Sequence, residues 1–145
     1  MAAVEFLPTV QALVQAYQAF ESHSGAHIRS LGLTPPQFDI VATLGNTAGM
    51  TATELGEKTL ITKGTLTGVV DRLAARGCVE RVAHGSDRRC QIIRLTPAGE
   101  ALFKRVFPAH LAYFARCFAT ASAVQHKRWQ AALRELAGLF AKENP

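Results

Sequence analysis

Two adjacent arginines, Arg88 and Arg89, lie in the short polar segment HGSDRRC, between two stretches that are typical of β-strands. The Gly, Ser and Asp residues of this segment favour a turn, so the sequence predicts a hairpin with a basic tip. A guanidinium at such a tip has no core to pack in, whereas the negative potential of a narrow minor groove attracts it. The arginines therefore indicate a polyanionic partner.

The net charge of the chain is concentrated around this predicted hairpin. The 145 residues carry a formal charge of +5, and residues 58–94 hold eight basic and three acidic side chains. The remaining residues are balanced, with eight side chains of each sign. A basic region on a neutral background is typical of proteins that bind nucleic acid, although a solvated surface can have the same composition.

Other residue types that carry chemistry predict neither a metal site nor a catalytic one. Cys78, Cys90 and Cys117 are odd in number, widely spaced and outside any CxxC motif, which disfavours a disulfide framework and a structural zinc site. The sequence lacks G-x-S-x-G, HExxH and a Gly-rich phosphate loop before a helix. We therefore expect a protein that is not an enzyme and that uses no cofactor or metal.

Composition predicts a folded domain rather than a disordered or membrane-bound chain. Hydrophobic residues make up 48% of the sequence and charged residues 19%, which is enough apolar material for a core. No apolar run approaches the roughly 20 residues that span a bilayer, and the N-terminus lacks the basic start of a signal peptide. We expect a single domain, residues 1–145, that is cytoplasmic and has no membrane partner.

Apolar residues at helical spacing, together with helix caps, predict a mainly α protein with one small β-hairpin. The first helix is expected from Glu5 to Ser30, with Pro8 in its first turn. Thr34, Thr51 and Thr62 are expected to cap the next three helices. The predicted helices cover residues 5–30, 35–45, 52–58, 63–76, 97–118 and 123–142, and the predicted strands cover residues 79–83 and 91–95.

The third and fourth predicted helices form a helix-turn-helix, and the hairpin directly after them is a wing. The inward face of the fourth helix is formed by Leu66, Val69, Val70 and Leu73. Its opposite face is formed by Gly64, Thr67, Gly68 and Asp71. A glycine in a helix interior costs about 0.5–1 kcal/mol relative to alanine, and close approach of the backbone to a ligand would justify that cost. Small residues on this face let the helix enter a major groove.

Residues 61–102, ITKGTLTGVVDRLAARGCVERVAHGSDRRCQIIRLTPAGEAL, resemble the MarR family of bacterial transcription regulators. In that family a recognition helix with the pattern RL…GLV.R leads into a wing with Asp-x-Arg, and LT..G opens a long helix. The corresponding segments here are Arg72-Leu73, Gly77 to Arg81, Asp87 to Arg89 and Leu95 to Gly99. Cys78 departs from the larger apolar residue that is frequent in the family. The flanking helices match in length and order, so the resemblance covers nearly the whole chain.

The resemblance implies a winged helix-turn-helix lobe at residues 34–100, flanked by dimerisation helices at residues 1–33 and 101–145. It implies a homodimeric repressor that binds a pseudo-palindromic operator in double-stranded DNA. Arg89 would enter the minor groove, Asp87 would brace a wing arginine, and Arg72 would contact the DNA backbone or pair with Asp87. The residues expected at the DNA are Thr62, Lys63, Gly64, Thr65, Thr67, Gly68, Arg72, Asp87, Arg88 and Arg89.

Members of this family typically release DNA when they bind a small phenolic or other aromatic acid, or when a cysteine is oxidised, and some bind zinc. The candidate effector residues are Tyr17, Phe20, His23, His27, His110 and Tyr113. Three interpretations stay open for the histidines: a core imidazole bonded to a carbonyl, an aromatic acid held by His27 or Arg29, and zinc on the i, i+4 pair His23 and His27. Redox sensing through Cys90 and a winged helix that binds protein are the further alternatives.

Overall fold

Six helices and three strands follow one another along the described part of the chain. The computed structural model describes residues 2–85 and 87–143, without the side chains of residues 2, 3, 87 and 88. The elements are α1 (Ala2–Ser30), α2 (Pro35–Leu44), β1 (Met50–Thr51), α3 (Ala52–Thr59), α4 (Lys63–Ala75), β2 (Val79–His84), β3 (Asp87–Leu95), α5 (Pro97–Cys117) and α6 (Ala123–Lys142). This order confirms the predicted mainly α fold with a small β wing. No helix in these ranges combines the length and the apolarity needed to span a bilayer.

Local capping contacts define where α2 and α3 begin, as the sequence predicts. Thr34 Oγ1 accepts a hydrogen bond from the backbone N–H of Gln37 at 3.3 Å, and Gln37 Oε1 accepts one from the Thr34 N–H at 3.0 Å. Thr51 Oγ1 accepts a hydrogen bond from the backbone N–H of Glu54 at 3.2 Å. These bonds satisfy backbone donors that a helix N-terminus leaves without an intrahelical partner.

The predicted start of the first helix and the predicted capping bond of Thr62 are wrong. The first helix begins at Ala2 rather than Glu5, so Pro8 lies inside α1 instead of in its first turn. Alanine has the highest helix propensity, and the alanines before Glu5 extend the helix toward the N-terminus. Thr62 is the N-cap residue of α4, but its side chain makes no capping bond to the backbone. Its hydroxyl donates to Thr65 Oγ1 at 3.1 Å, because the neighbouring hydroxyl offers a competing acceptor.

The sheet contains a short strand, β1, that the sequence did not predict. The strand order is β1-β3-β2, and β1 pairs with β3 in antiparallel register, with Met50 opposite Ile93. Gly49 precedes β1 with a φ of +102°, and a Cβ at this position would lie 2.8 Å from the carbonyl oxygen of Ile93. A strand of two residues has too little alternation to be recognised, so only its pairing partner reveals it.

The buried core belongs to the first of two compact units, residues 1–111. It includes Ile40 of α2, Leu55 of α3, Leu73 of α4 and Val106 of α5. Ile93 and Leu95 of β3 are buried in the same core. The wing and the helix-turn-helix therefore share one apolar centre.

The second unit, residues 112–145, contains the end of α5 and all of α6. Ser122 and Gln125 form a capping box that starts α6, a feature that the sequence analysis missed. The ring centroid of Phe118 lies 5.3 Å from that of His126 and 6.4 Å from that of Trp129. The boundaries expected for a DNA-binding lobe and for dimerisation helices stay predictions.

Candidate nucleic-acid interface

The helix α4 has one buried face and one exposed face, divided as its periodicity predicts. The buried side chains are Leu66, Val69, Val70 and Leu73. Thr62, Lys63, Gly64, Thr65 and Thr67 are exposed, and Gly68 is half-buried. A Cβ added at Gly64 or Gly68 would meet no atom within 4 Å. No contact within the protein requires glycine there, so the small-residue face leaves the α4 backbone open to a ligand.

The turn between α3 and α4 holds its shape through an exposed leucine in the left-handed conformation. Leu60 has a φ of +60° and is 89% exposed, and its N–H donates to the Gly56 carbonyl at 2.9 Å as the C-cap of α3. A branched side chain rarely adopts this conformation, because it crowds the adjacent carbonyl. Leucine disfavours this conformation, so nothing in the local sequence predicts a left-handed residue at this position.

An ion pair connects the exposed edge of α4 to the first strand of the wing. The Arg81 guanidinium on β2 donates to Asp71 Oδ1 on α4 at 2.7 Å. Asp71 was expected on the outward face, and it is exposed there. Its pairing with Arg81 could not be predicted from the sequence, where the family resemblance implied a different pair, Arg72 with Asp87. The Asp87 side chain lies outside the described residues, so that pairing stays a prediction.

The wing consists of β2 and β3, which extend beyond the predicted strands. Their register runs from Val79 opposite Leu95 to Ala83 opposite Gln91, with an irregularity before the tip. Arg89 lies near the tip and is exposed. The Arg88 side chain, like that of Asp87, is outside the described residues. Arg89 therefore lies in β3 within this irregularity, because Asp87 pairs with His84 and Gln91 pairs with Ala83.

Close packing at the start of α5 requires a small residue at Gly99, which follows Leu-Thr-Pro-Ala in the sequence. The Thr96 N–H donates to the Cys78 carbonyl at 3.0 Å, and Thr96 Oγ1 accepts from the Gly99 N–H at 3.1 Å. A Cβ at Gly99 would overlap the Cys78 carbonyl oxygen. The first turn of α5 therefore packs directly on the backbone that enters the wing, and Gly99 permits that approach.

A cluster of polar side chains lies between α1 and α5, where the sequence placed candidate effector residues. His27 Nδ1 lies 2.8 Å from His110 Nδ1, and Ser24 Oγ lies 3.3 Å from His110 Nε2. The edge of the His110 ring contacts Phe38, with centroids 4.6 Å apart. Burial lowers the pKa of His110, and the neighbouring His27 and His23 lower it further. His27 thus has the His110 imidazole as its partner, a contact that the positions of the two histidines in the sequence did not predict.

Tyr17 and Phe20 line a depression of about 110 Å³ between α1 and α2. Glu21 and Asp39 also line the depression, and Glu21 raises the pKa of the Tyr17 phenol. Arg29 lines an adjoining depression of about 310 Å³ that shares Glu21. The aromatic depression thus has acidic residues in its lining and Arg29 in the adjoining depression, a charge distribution that the sequence did not predict.

The other candidate effector residues do not line the Tyr17 depression. His23, His27 and His110 belong to the neighbouring α1–α5 region, and Tyr113 lies in the second compact unit, with its ring centroid 6.4 Å from that of Phe114. Within residues 2–85 and 87–143, no three His, Cys, Asp or Glu side chains are placed to hold a metal ion. The thiol of Cys78 is buried, and those of Cys90 and Cys117 are exposed.

A helix-turn-helix followed by a basic β-hairpin defines the winged-helix class of DNA-binding proteins. The chain belongs to the MarR family of transcriptional regulators: the model of that family matches residues 31–89. The regulator MhqR of Bacillus subtilis is 32% identical over 100 residues, which cover 69% of this chain and 69% of that protein. The protein is therefore a DNA-binding transcriptional regulator with a winged-helix fold.

Two solved structures, the first of them a MarR family transcriptional regulator, are similar to this chain over most of their length. Sco3205 from Streptomyces coelicolor, solved in complex with DNA, has a TM-score of 0.82 and 25% identity, covering 92% of this chain and 86% of its own. BpsR from Bordetella bronchiseptica, whose DNA binding is regulated by 6-hydroxynicotinic acid, has a TM-score of 0.77 and 25% identity. That likeness covers 90% of this chain and 98% of BpsR.

Proposed function

We propose that the protein is a homodimeric repressor that binds a pseudo-palindromic operator and releases it when a small aromatic effector binds. The observation that carries this proposal is the exposed face of α4, built from small and hydroxylated residues, next to a wing that carries Arg89. The α4 face reads base edges in the major groove, and the wing arginine enters the adjacent minor groove. The contacts are made by Thr62, Lys63, Gly64, Thr65, Thr67, Gly68, Arg72, Asp87, Arg88 and Arg89.

Exposed apolar side chains on two helices support the homodimer. On α1 they are Val4, Phe6, Leu7, Val10, Val14, Tyr17 and Phe20. On α6 they are Val124, Trp129, Leu133, Leu139 and Phe140. Soluble monomers rarely leave the apolar face of a long helix exposed, and a two-fold dimer would cover the face on each of these helices. Residues 1–33 and 101–145 form the dimerisation region of this proposal, and residues 34–100 form the lobe that reaches DNA.

The effector site of this proposal lies beside α1 and α2, at Tyr17 and Phe20. Two aromatic rings next to a concave surface suit a flat aromatic ligand. Glu21 and Asp39 repel an anion at the Tyr17 end, so the carboxylate of an aromatic acid would lie toward Arg29. BpsR, a relative of similar fold, responds to an aromatic acid. His23, His27, His110 and Tyr113 complete the set of candidate effector residues.

The proposal is tested by selecting the protein's own operator from a pool of random duplexes. We expect an enriched inverted repeat whose half-sites lie about 10 base pairs apart, because each protomer presents one α4 to one major groove. Sedimentation at micromolar concentration should show a dimer, and binding of the selected duplex should weaken steeply with salt. A monomer, or a pool without enrichment, would overturn the proposal in favour of a protein-interaction module.

Repression and release need separate measurements. A reporter whose promoter overlaps the selected operator should be expressed less when the protein is present. Increased expression would show that the protein is an activator rather than a repressor. Titration with salicylate, 6-hydroxynicotinate and an uncharged phenol should identify a compound that raises the thermal midpoint and lowers operator affinity together. Tyr17→Ala should remove both effects of that compound, and Tyr113→Ala tests whether the second compact unit contributes.

A further inference from the structure

Asp71 presents a carboxylate on the α4 edge that the proposed function turns toward DNA. Its side chain is 59% exposed, and it accepts a hydrogen bond from Arg81 of β2 at 2.7 Å. A carboxylate near a polyanion is unfavourable unless a cation offsets its charge. Arg81 supplies that cation from a different element, so the pair joins the recognition helix to the wing.

Stability alone does not account for this pair. The Arg81 side chain is 31% exposed, and ion pairs between exposed side chains contribute about 0–1 kcal/mol to folding. Beside Arg81 lies a cavity of about 120 Å³, whose lining residues are Ala52, Leu66, Thr67, Val70, Arg81 and Ile93. Apolar packing does not fill the space between the α4 edge and the sheet at this point. The ion pair therefore adds a direct side-chain link between α4 and β2 at the exposed edge of the apolar core that the two elements share.

We propose that Asp71 and Arg81 are positioning residues that hold α4 and the wing at the spacing at which both engage one operator. This inference rests on the proposed function, in which α4 lies in the major groove and the wing in the minor groove. A duplex selected by the protein makes both sets of contacts, whereas a scrambled duplex engages mainly through its phosphates. Loss of the pair therefore lowers the preference for the selected duplex more than it changes affinity for DNA in general.

A second ion pair in the same hairpin provides a matched control. Arg94 Nε donates to Glu80 Oε1 at 2.8 Å, with side chains that are 48% and 43% exposed. Glu80 and Arg94 face each other across β2 and β3, which backbone hydrogen bonds already join. Breaking this pair removes charges of the same sign and similar exposure, but it leaves the connection between α4 and the wing intact.

The experiment compares Kd for the selected duplex and for its scrambled version at several salt concentrations. In Asp71→Asn and Arg81→Gln, the preference for the selected duplex should fall by about tenfold, comparable to one mismatched base pair. The two changes alter the net charge in opposite directions. If the pair acted only through its charges, each variant would change its affinity for the selected and the scrambled duplex by the same factor, and the preference would stay unchanged. The swap of Asp71→Arg with Arg81→Asp should restore the preference, and Glu80→Gln and Arg94→Gln should keep it.

Other results for the operator preference would overturn this proposal or the proposed function. An unchanged preference in folded single variants, or an equal loss in the Glu80→Gln control, overturns the positioning role. Loss without recovery in the swap assigns a direct DNA contact to one residue and also overturns it. Gly68→Leu separates the two proposals: retained operator preference in that variant overturns the proposed interface itself. Loss in Gly68→Leu with neutral Asp71 and Arg81 variants overturns only the present inference.

Discussion

The Nδ1 atoms of His27 and His110 lie 2.8 Å apart, so one imidazole must donate the proton and the other must accept it. His110 is buried, and its second ring nitrogen lies 3.3 Å from Ser24 Oγ. The pair joins α1 to α5 across 83 residues of sequence. Protonation of both rings would remove the acceptor and place two cations in contact, which makes this link sensitive to pH.

Stability should therefore decrease as pH falls below the ordinary pKa of histidine. Burial, and then His27 and His23, lower the pKa of His110 from 6.5, so near this pH the unfolded chain binds more protons than the folded protein. The contribution is fully present above about pH 7 and is lost as pH falls from 6.5 toward the lowered pKa. Thermal melts between about pH 7.5 and 5.5 measure this slope.

Two variants distinguish the contribution of His110 to the pH dependence of stability from that of an exposed histidine. His110→Gln should lower the thermal midpoint at pH 7.5, since a buried hydrogen bond is worth roughly 0.5–1.5 kcal/mol, and it should flatten the pH dependence. His84→Gln, at the exposed end of β2, should leave the slope unchanged. A parent slope that survives in His110→Gln, or a His110 imidazole that titrates above pH 6.5 by NMR, would contradict the prediction.

Replacement of Arg89 by alanine should weaken operator binding by several-fold or more. The exposed guanidinium on β3 would be lost from a minor groove whose narrow walls concentrate negative potential. The slope of log affinity against log salt should flatten by about 0.9 per subunit, the value for one released phosphate contact. Equal binding by Arg89→Ala and the parent at every salt concentration would show that the wing tip does not meet DNA.

Substitutions at Gly68 should separate folding from recognition. Gly68→Ala should raise the free energy of unfolding by roughly 0.5–1 kcal/mol, because the added methyl meets open space and alanine favours a helix. Gly68→Leu should remain folded and dimeric but lose specific binding, since a larger side chain would hold α4 away from the bases. Weak nonspecific binding should persist through phosphate contacts.

Gly138 is the matched control for Gly68. It lies within α6, and a Cβ there also meets no atom within 4 Å. Gly138→Ala should give a similar gain in stability, in a helix that the proposal assigns to the dimer rather than to DNA. Thermal melts, combined with titrations against the selected and scrambled duplexes, measure both properties for each variant.

Gly99→Ala should destabilise the protein, in contrast to the alanine variants at open positions. The new methyl would overlap the Cys78 carbonyl, so the first turn of α5 must shift away from the strand that enters the wing. Overpacking of this kind costs about 1–3 kcal/mol. Chemical denaturation should show the loss, whereas Gly64→Ala, with no atom within 4 Å of the added Cβ, should show none.

Features that depend on neighbours along the chain could be predicted from the sequence. The inward face of α4 follows from a period of 3.6 residues, and Leu66 and Leu73 are buried as expected. The caps at Thr34 and Thr51 depend on residues three positions away, so they are visible as short patterns. The wing was recognised because alternating strands flank a polar turn, and the family resemblance depends on these same local features.

Contacts between residues that are far apart in sequence were decided by the tertiary structure. His27 meets His110, Asp71 meets Arg81, and β1 gains its identity only by pairing with β3. No periodicity links these partners, because each contact arises when the apolar core brings separate elements together. The left-handed turn at Leu60 opposes local propensity and is retained because the two helices it joins are packed on that core. Local interactions thus specify the elements and their faces, whereas burial of the shared core specifies which polar side chains meet.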